Sequence, residues 1–324
     1  MTSRGVPAAV GQNRRVTRLR LLFAGSPAAA VPSLAALAGG PHAVEAVITR
    51  PPTPQGRKRV LTPTPVEVEA ERLGLEVLHA RSLTPLTDEL VARQVDLGVI
   101  VAFGGLIREP LLSAPRLGWI NLHFSLLPAY RGAAPVQRAI MAGDTRTGMS
   151  VFRLTAGLDE GELLAQRAQP IGAHDTAGSL LERLATDGAG LVASVVDALA
   201  DGTATATPQQ GTPSFAPKLT RDDGRVTFTS CVATVSARVR GTTPEPGAFA
   251  ELDDGTTVKL LEVAIAHDAP ALEPGRLTVQ AGAALVGTAD RPLELIRVQP
   301  AGKQAMRAVD WMRGLRDAAE RRFR

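Results

Sequence analysis

The segment 97–102 constrains the fold more than any other stretch, because it reads Leu-Gly-Val-Ile-Val-Ala without one polar residue. A strand of this composition is typical of a parallel sheet that is covered on both faces. Two further runs rich in apolar residues lie at 19–24 and 44–49, and a segment of helical composition separates them. This alternation predicts right-handed crossovers and an open, mostly parallel sheet with helices on both faces.

Composition divides the chain into four parts. Residues 1–16 are polar, contain arginine and lack periodicity, so we expect a disordered arm. The predicted sheet and its helices occupy 17–203. A segment rich in threonine, proline and glycine follows, and it predicts a linker over 204–217. Short alternating segments with turn signals then predict a small β-barrel domain over 218–324.

Positive charge is local rather than global. The chain has 36 basic and 32 acidic residues, a net charge of only +4. Arginine is clustered at 4–20 and 313–324, and the segment 50–59 has four basic residues and no acid. Separate basic clusters suit an extended polyanionic partner that is touched at several points. For the two termini taken alone, solubility is the favoured explanation.

Cysteine and histidine exclude several kinds of site. The single cysteine, Cys231, rules out an internal disulfide framework and a metal site built of cysteines alone. The five histidines have no paired spacing, so we predict no metal. A reducing cytoplasm is the simplest compartment. No segment reaches the ~18 apolar residues of a membrane span. Gly25 interrupts the short apolar run that follows the first arginines, so we predict no signal peptide.

The stretch 119–135 begins as a buried strand and ends as a turn into a helix. Asn121 and His123 are two residues apart, so on a strand they lie on the same face. An amide and an imidazole placed together can polarise a carbonyl group and move a proton. Asp159 follows in a turn framed by glycines at 157 and 161. We interpret the three side chains as an acyl-transfer site.

Each of these residues also has an ordinary structural interpretation. A lone strand histidine is more often a satisfied core residue, an aspartate between glycines a turn residue, and an asparagine an edge hydrogen-bonder. The common face and the complete set of motifs favour the site. Ser125 lacks the GxSxG elbow of a nucleophile, so we interpret it as a turn residue.

The ordered motifs identify a family resemblance that extends from about residue 18 over nearly the whole chain. They are Asn121-x-His123, Ser125-Leu-Leu-Pro128, Tyr130-Arg-Gly-Ala133 and Gly157-Leu-Asp-x-Gly161. This set resembles the folate-dependent formyltransferases. Phe23-Ala-Gly-Ser-Pro27, Gly56-Arg57 and Gln299-Pro-Ala-Gly-Lys303 are similar to the members that act on initiator methionyl-tRNA. The resemblance implies a Rossmann-like catalytic domain and an OB-type C-terminal barrel.

The implied reaction moves a formyl group from 10-formyltetrahydrofolate to the α-amine of methionine on initiator tRNA. Asn121, His123 and Asp159 match the catalytic positions. The first two are placed to stabilise an oxyanion and to shuttle a proton. Asp159 either pairs with His123 or passes a proton to N10 of the folate. The sequence leaves the division of acid and base roles open.

Two segments match the folate-side positions of the family. One is the turn of Phe103, Gly104, Gly105 and Leu106, in which Gly105 replaces a usually larger residue. The other is the loop of Ser125, Leu126, Leu127 and Pro128. Arg131 is a candidate neighbour of the anionic glutamate tail of the folate, and a turn-stabilising ion pair is an equally good role for it.

The residues expected to bind tRNA come from the basic clusters. Prolines and a glycine in 50–59 predict a loop without regular structure that is mobile when free. Arg57, Lys58 and Arg59 match the family segment that enters the acceptor stem, with Arg57 at its key arginine. Lys303 is the candidate for phosphate contacts on the C-terminal domain, together with Arg297. We expect a monomer.

Other functions remain open at this point. The same catalytic residues suit a formyltransferase that acts on a nucleotide-linked amino sugar, and a hydrolase that releases formate from formyltetrahydrofolate. The basic insertion at 50–59 argues against the amino-sugar enzyme. Gly25-Ser-Pro27 does not match the GxGxxG of a dinucleotide-binding dehydrogenase. A non-catalytic RNA-binding module is the last alternative.

Overall fold

The computed structural model describes residues 17–56, 58–315 and 321–324. The predicted arm at 1–16 and the predicted tRNA contact Arg57 lie outside the described residues. In chain order the first helices and strands are β1 (Arg20–Gly25), α1 (Val31–Ala38), β2 (Ala43–Thr49), β3 (Thr53–Gln55), β4 (Val60–Thr62), α2 (Pro65–Arg72), β5 (Val77–His79), α3 (Thr87–Ala92), β6 (Leu97–Val101), β7 (Trp119–His123), α4 (Pro135–Ala142), β8 (Arg146–Arg153), β9 (Leu163–Pro170) and α5 (Ala177–Ala200).

Seven of these strands form one open sheet in the order β5-β2-β1-β6-β7-β8-β9. The pairings from β5 to β7 are parallel, whereas β8 and β9 continue the sheet in antiparallel fashion. The predicted open sheet is therefore confirmed, as a mixed sheet with a parallel centre. All five residues of β6 are buried, as the uninterrupted apolar run predicts.

Apolar side chains cover both faces of this sheet. Helices α1, α2, α4 and α5 pack against one face, where Val99 of β6 lies with Leu184 of α5. Helix α3 packs against the other face, where Ile100 lies with Trp119. Because β1, β6 and β7 are parallel, their carboxyl ends meet at one edge, and His123 is the last residue of β7. Ligands of open α/β sheets bind outside such ends.

The segment 50–59 does not match its prediction. Strands β3 and β4 form a two-stranded antiparallel hairpin, so the expectation of no regular structure is wrong. Both strands of an isolated ribbon are edges, which tolerate the missing N–H of Pro54. Gly56 and Arg59 have positive φ angles of 67° and 50°, and the Arg59 N–H donates to the Gly56 carbonyl at 3.2 Å. Those two conformations close the turn.

The C-terminal part has its own antiparallel sheet. Its elements are α6 (Val232–Gly241), β10 (Phe249–Glu251), β11 (Thr257–Ile265), β12 (Leu277–Gln280), β13 (Ala283–Val286), β14 (Leu293–Pro300), β15 (Met306–Arg307) and α7 (Ala308–Arg313). The strand order is β10-β11-β14-β13-β12, and β15 pairs with β14. These pairings form an open sheet with a separate apolar core, and the OB-type barrel stays a prediction.

No helix in the described ranges has the length and apolar character that crossing a membrane requires.

Candidate active site

His123 is held at the carboxyl end of β7. Only 6% of the residue is exposed, and its Nε2 lies 2.9 Å from the carbonyl oxygen of Tyr130. A carbonyl accepts hydrogen bonds and cannot donate them, so Nε2 carries a proton. Nδ1 lies 3.8 Å from Oδ2 of Asp159. The structure therefore brings His123 and Asp159 together.

The charge state of His123 follows from its surroundings. Burial lowers the pKa of the imidazole, while the Asp159 carboxylate and the Tyr130 carbonyl raise it, and the net pKa lies below the ordinary histidine value. An uncharged ring that is protonated at Nε2 has a free lone pair at Nδ1. His123 can therefore accept a proton at neutral pH.

Asp159 lies in a turn that its sequence neighbours make possible. Its φ angle is +48°, a conformation that few residues other than glycine adopt, and its Oδ2 accepts a hydrogen bond from the Gly132 N–H at 2.8 Å. A Cβ atom at Gly157 would overlap the carboxylate of Glu160, and one at Gly161 would overlap the Arg153 carbonyl. The missing Cβ atom at Gly161 lets the turn pack against the Arg153 backbone, whereas the exposed Glu160 side chain can move aside at Gly157.

Asn121 has an unsatisfied amide. It lies two residues before His123 on β7, on the same face of the strand. Its Oδ1 atom is buried and has no hydrogen-bond partner among the described residues. Buried polar atoms without a partner are uncommon and costly. As an acceptor, this oxygen fits an N–H or O–H group of a bound substrate beside His123.

Two side chains, on β8 and β9, hold the loop 125–128 by hydrogen bonds. The sequence alone did not identify them. The Ser150 hydroxyl donates to the Ser125 carbonyl at 2.7 Å and accepts from the Leu127 N–H at 3.1 Å. The Gln166 amide donates to the Leu127 carbonyl at 3.0 Å. The Ser125 hydroxyl is buried and donates to the Ala129 carbonyl at 2.6 Å, so Ser125 is the turn residue that we predicted. Leu126 packs against Gly148, and Pro128 is partly exposed.

The turn 103–106 contributes backbone more than side chains. Phe103 is buried in the core at 2% exposure. Gly105 lies against its ring, since a Cβ atom there would come within 2.5 Å of the Phe103 Cε1 atom. Gly104 has a φ angle of 71°, and its carbonyl accepts a long 3.4 Å hydrogen bond from Arg50. Leu106 is 70% exposed. The groups open to a ligand are therefore the backbone of Gly104 and the side chain of Leu106.

Known proteins match this chain in both of its parts. The family described as "Formyl transferase" matches residues 18–196, and "Formyl transferase, C-terminal domain" matches 218–316. The methionyl-tRNA formyltransferase of Clavibacter sepedonicus is 55% identical over 298 residues, which cover 92% of this chain and 97% of that protein. The corresponding protein of Arthrobacter sp. (strain FB24) is 52% identical, with coverages of 91% and 97%.

The chain belongs to the methionyl-tRNA formyltransferase family. A solved N-formyltransferase from Helicobacter canadensis, in complex with folinic acid and dTDP-3-aminofucose, has the same fold, with a TM-score of 0.66 and 15% identity. The match covers 86% of this chain and 98% of that one. At this identity the likeness concerns the fold alone.

The segment 204–217, which we name the strap, contacts the loop that follows His123. The Leu163 and Thr207 backbones exchange two hydrogen bonds of 2.8 and 2.9 Å. The Ser214 hydroxyl accepts from the Tyr130 N–H at 2.9 Å, and its carbonyl accepts from the Arg131 N–H at 2.8 Å. Arg131 donates to the Gln209 side chain at 2.7 Å. Arg131 is therefore bound to an amide, and it forms no ion pair with a carboxylate among the residues that the structure describes.

The basic residues that are predicted to contact tRNA lie on separate surfaces of the protein. Lys58 and Arg59 are exposed at the tip of the β3–β4 hairpin. Lys303 is exposed in the turn after β14, where its N–H donates to the Pro300 carbonyl at 3.0 Å. That turn borders a cleft of about 330 Å³ that is lined by Arg221, Thr257, Lys259, Gln299, Pro300, Ala301 and Gly302. The sequence alone did not single out Arg221 or Lys259.

The described part of the chain contains no group of three or more histidine, cysteine or acidic residues that would hold a metal ion.

Proposed function

We propose that the protein transfers the formyl group of 10-formyltetrahydrofolate to the α-amino group of methionine on initiator methionyl-tRNA. The observation that carries this proposal is the similarity to methionyl-tRNA formyltransferases across 92% of the chain, which includes both sheets. A site with Asn121, His123 and Asp159 suits formyl transfer to many amines. The full-length similarity is what selects a tRNA-linked amine.

The catalytic step uses the uncharged imidazole. The α-amine attacks the formyl carbon, and the bond between that carbon and N10 of the folate breaks. His123 accepts the proton that the amine loses and returns it to N10. Asp159, whose Oδ2 lies 3.8 Å from Nδ1, stabilises the imidazolium that exists between the two transfers. Asn121 donates an amide N–H to the oxyanion of the tetrahedral intermediate.

The two loops beside the site are proposed to hold the folate. The loop 125–128 is preorganised by Ser150 and Gln166, so the folate meets backbone groups that are already in place. The turn 103–106 offers the Gly104 backbone to the polar edge of the pterin and the exposed Leu106 side chain to its flat face. These contacts suit a planar ring with polar edges.

The tRNA is proposed to contact both parts of the chain. The hairpin tip with Lys58 and Arg59, together with Arg57, engages the acceptor stem, and Lys303 with the neighbouring cleft engages phosphates further along. The C-terminal domain is proposed to be an OB-type barrel. This proposal is supported by residues 321–324, which bond to the chain beside both edge strands: the Arg324 N–H donates to Glu251, and the Phe323 N–H donates to Gly275, each at 2.9 Å.

All three catalytic side chains come from one chain, so we propose that the monomer is active. We place the reaction in the cytoplasm, where initiator tRNA is used.

A labelled formyl donor tests the proposed function. The protein is incubated with 10-formyltetrahydrofolate carrying labelled formyl, and with initiator Met-tRNA or the same tRNA uncharged. We expect label on methionine with the charged tRNA and none with the uncharged tRNA, because only the former has the α-amine. Free labelled formate in both reactions would contradict the proposal and indicate a hydrolase. Transfer to a nucleotide-linked amino sugar in place of Met-tRNA would indicate the other formyltransferase class.

A further inference from the structure

Gln209, in the middle of the strap, forms hydrogen bonds with both the oxygen and the nitrogen of its side-chain amide. Its Nε2 donates to the carbonyl of Asp159 at 2.7 Å and to the carbonyl of Gly161 at 2.9 Å. Its Oε1 accepts from Arg131 Nη2 at 2.7 Å and from Arg131 Nε at 3.3 Å. One side chain therefore ties the Asp159 turn to the loop that follows His123.

The backbone of the Asp159 turn needs such support. Asp159 has a φ angle of +48°, a left-handed conformation that aspartate adopts more readily than most residues but that still costs free energy, so contacts that hold it are useful. The carboxylate itself is held by the N–H of Gly132, which is the residue after Arg131. Gln209 thus fixes the two segments whose contact places the Asp159 carboxylate near His123.

We propose that Gln209 is a positioning residue for formyl transfer, which holds the Asp159 carboxylate at its working distance from His123. The inference rests on the proposed function, because it takes His123 and Asp159 as the proton-transferring pair. It also gives one residue of the strap, Gln209, a role in supporting the active site. The donor side of the amide is the essential part, since the Asp159 and Gly161 carbonyls can only accept.

Two substitutions distinguish this positioning role from a role in which Gln209 only fills space. Gln209→Ala removes all the hydrogen bonds of the side-chain amide. Gln209→Glu keeps the size and the contact with Arg131, but it places a carboxylate oxygen against the two carbonyls. If donation positions Asp159, kcat for Met-tRNA should fall about 10²-fold in both variants, with little change in KM for the folate. Gln210→Ala, at the exposed next residue of the strap, is the matched control and should retain full activity.

The pH profile distinguishes positioning from a loss of stability. The Asp159 carboxylate raises the pKa of His123 against the effect of burial. If that carboxylate moves away in Gln209→Ala, the pKa of His123 falls, so the acid limb of kcat/KM moves to lower pH. Asp159→Asn should shift the limb in the same direction, and adding Gln209→Ala to it should cause no further shift.

Several outcomes would overturn the inference. Full activity of Gln209→Glu would mean that Gln209 matters only for its size or for its contact with Arg131. An unmoved acid limb in Gln209→Ala, with a lowered melting temperature measured by circular dichroism, would assign it to stability alone. Failure of the proposed function looks different, because the unsubstituted protein would then not formylate Met-tRNA at all.

Discussion

Ser150→Ala tests whether the loop 125–128 is held by hydrogen bonds. The Ser150 side chain is fully buried and takes part in three hydrogen bonds: with the Ser125 carbonyl at 2.7 Å, the Gln166 amide at 3.0 Å and the Leu127 N–H at 3.1 Å. A typical protein hydrogen bond contributes about 1 kcal/mol net, so losing all three should lower the free energy of unfolding by about 3 kcal/mol. The Leu127 N–H is left without its partner, so the loop should also loosen.

Ser33→Ala is the matched control. Ser33 is also fully buried, but its hydroxyl has no hydrogen-bond partner among the described residues. Alanine also favours helix, so this substitution in α1 should leave the free energy of unfolding unchanged or raise it slightly. The two variants remove the same atom from equally buried sites.

Urea unfolding of both variants measures the difference, and calorimetric titration with 10-formyltetrahydrofolate measures the effect on the loop. We expect Ser150→Ala to lose about 3 kcal/mol and to bind the folate more weakly, because a smaller fraction of molecules has the loop in place. Equal free energies of unfolding in Ser150→Ala and Ser33→Ala would refute the hydrogen-bond argument. Unchanged folate binding would show that the loop 125–128 does not contribute to the folate site.

Three further predictions concern the turn, the tRNA and the pH. Gly161→Ala should destabilise the protein by several kcal/mol in urea unfolding, because its Cβ atom overlaps the Arg153 carbonyl, whereas Gly190→Ala, with open space around it, should not. Arg57→Ala should weaken formylation of Met-tRNA and leave the folate dissociation constant nearly unchanged; unaltered tRNA kinetics would contradict its assignment. The rate should fall on the acid side as His123 gains a proton, at a pH below that of an exposed histidine because burial lowers its pKa; a fall at the ordinary histidine value would contradict the buried, uncharged ring.

The central sheet was predictable because its signal is local. The run at 97–102 has no polar residue, as is typical of a strand covered on both faces. The sequence does not predict the hairpin at 53–62, because the prolines and the glycine of 50–59 indicate a loop without regular structure. In a ribbon with two free edges a proline costs little, and Gly56 and Arg59 supply the turn.

The supporting residues of the site were not predictable from local pattern. Ser150 contacts a residue 23 positions away in sequence, and Gln209 contacts Asp159 across 50 positions. Neither lies in a motif that the sequence marks as chemical. The segment 204–217 has the composition of a linker, and its hydrogen bonds to Tyr130, Arg131 and Asp159 depend on tertiary packing. Asn121, His123 and Asp159 were named from the common strand face, the adjoining loop and the complete set of motifs; the structure places His123 beside Asp159, and the catalytic roles stay a prediction.

Single-turnover transfer tests the central claim most directly. Enzyme loaded with one equivalent of labelled 10-formyltetrahydrofolate is mixed with excess initiator Met-tRNA, and the rate of label transfer is compared for the unsubstituted protein and His123→Ala. We predict that the substitution lowers this rate by about 10²- to 10⁴-fold, as expected for loss of a general base, and leaves the dissociation constants of folate and tRNA nearly unchanged. An equal transfer rate in the two proteins would contradict the proposed role of His123.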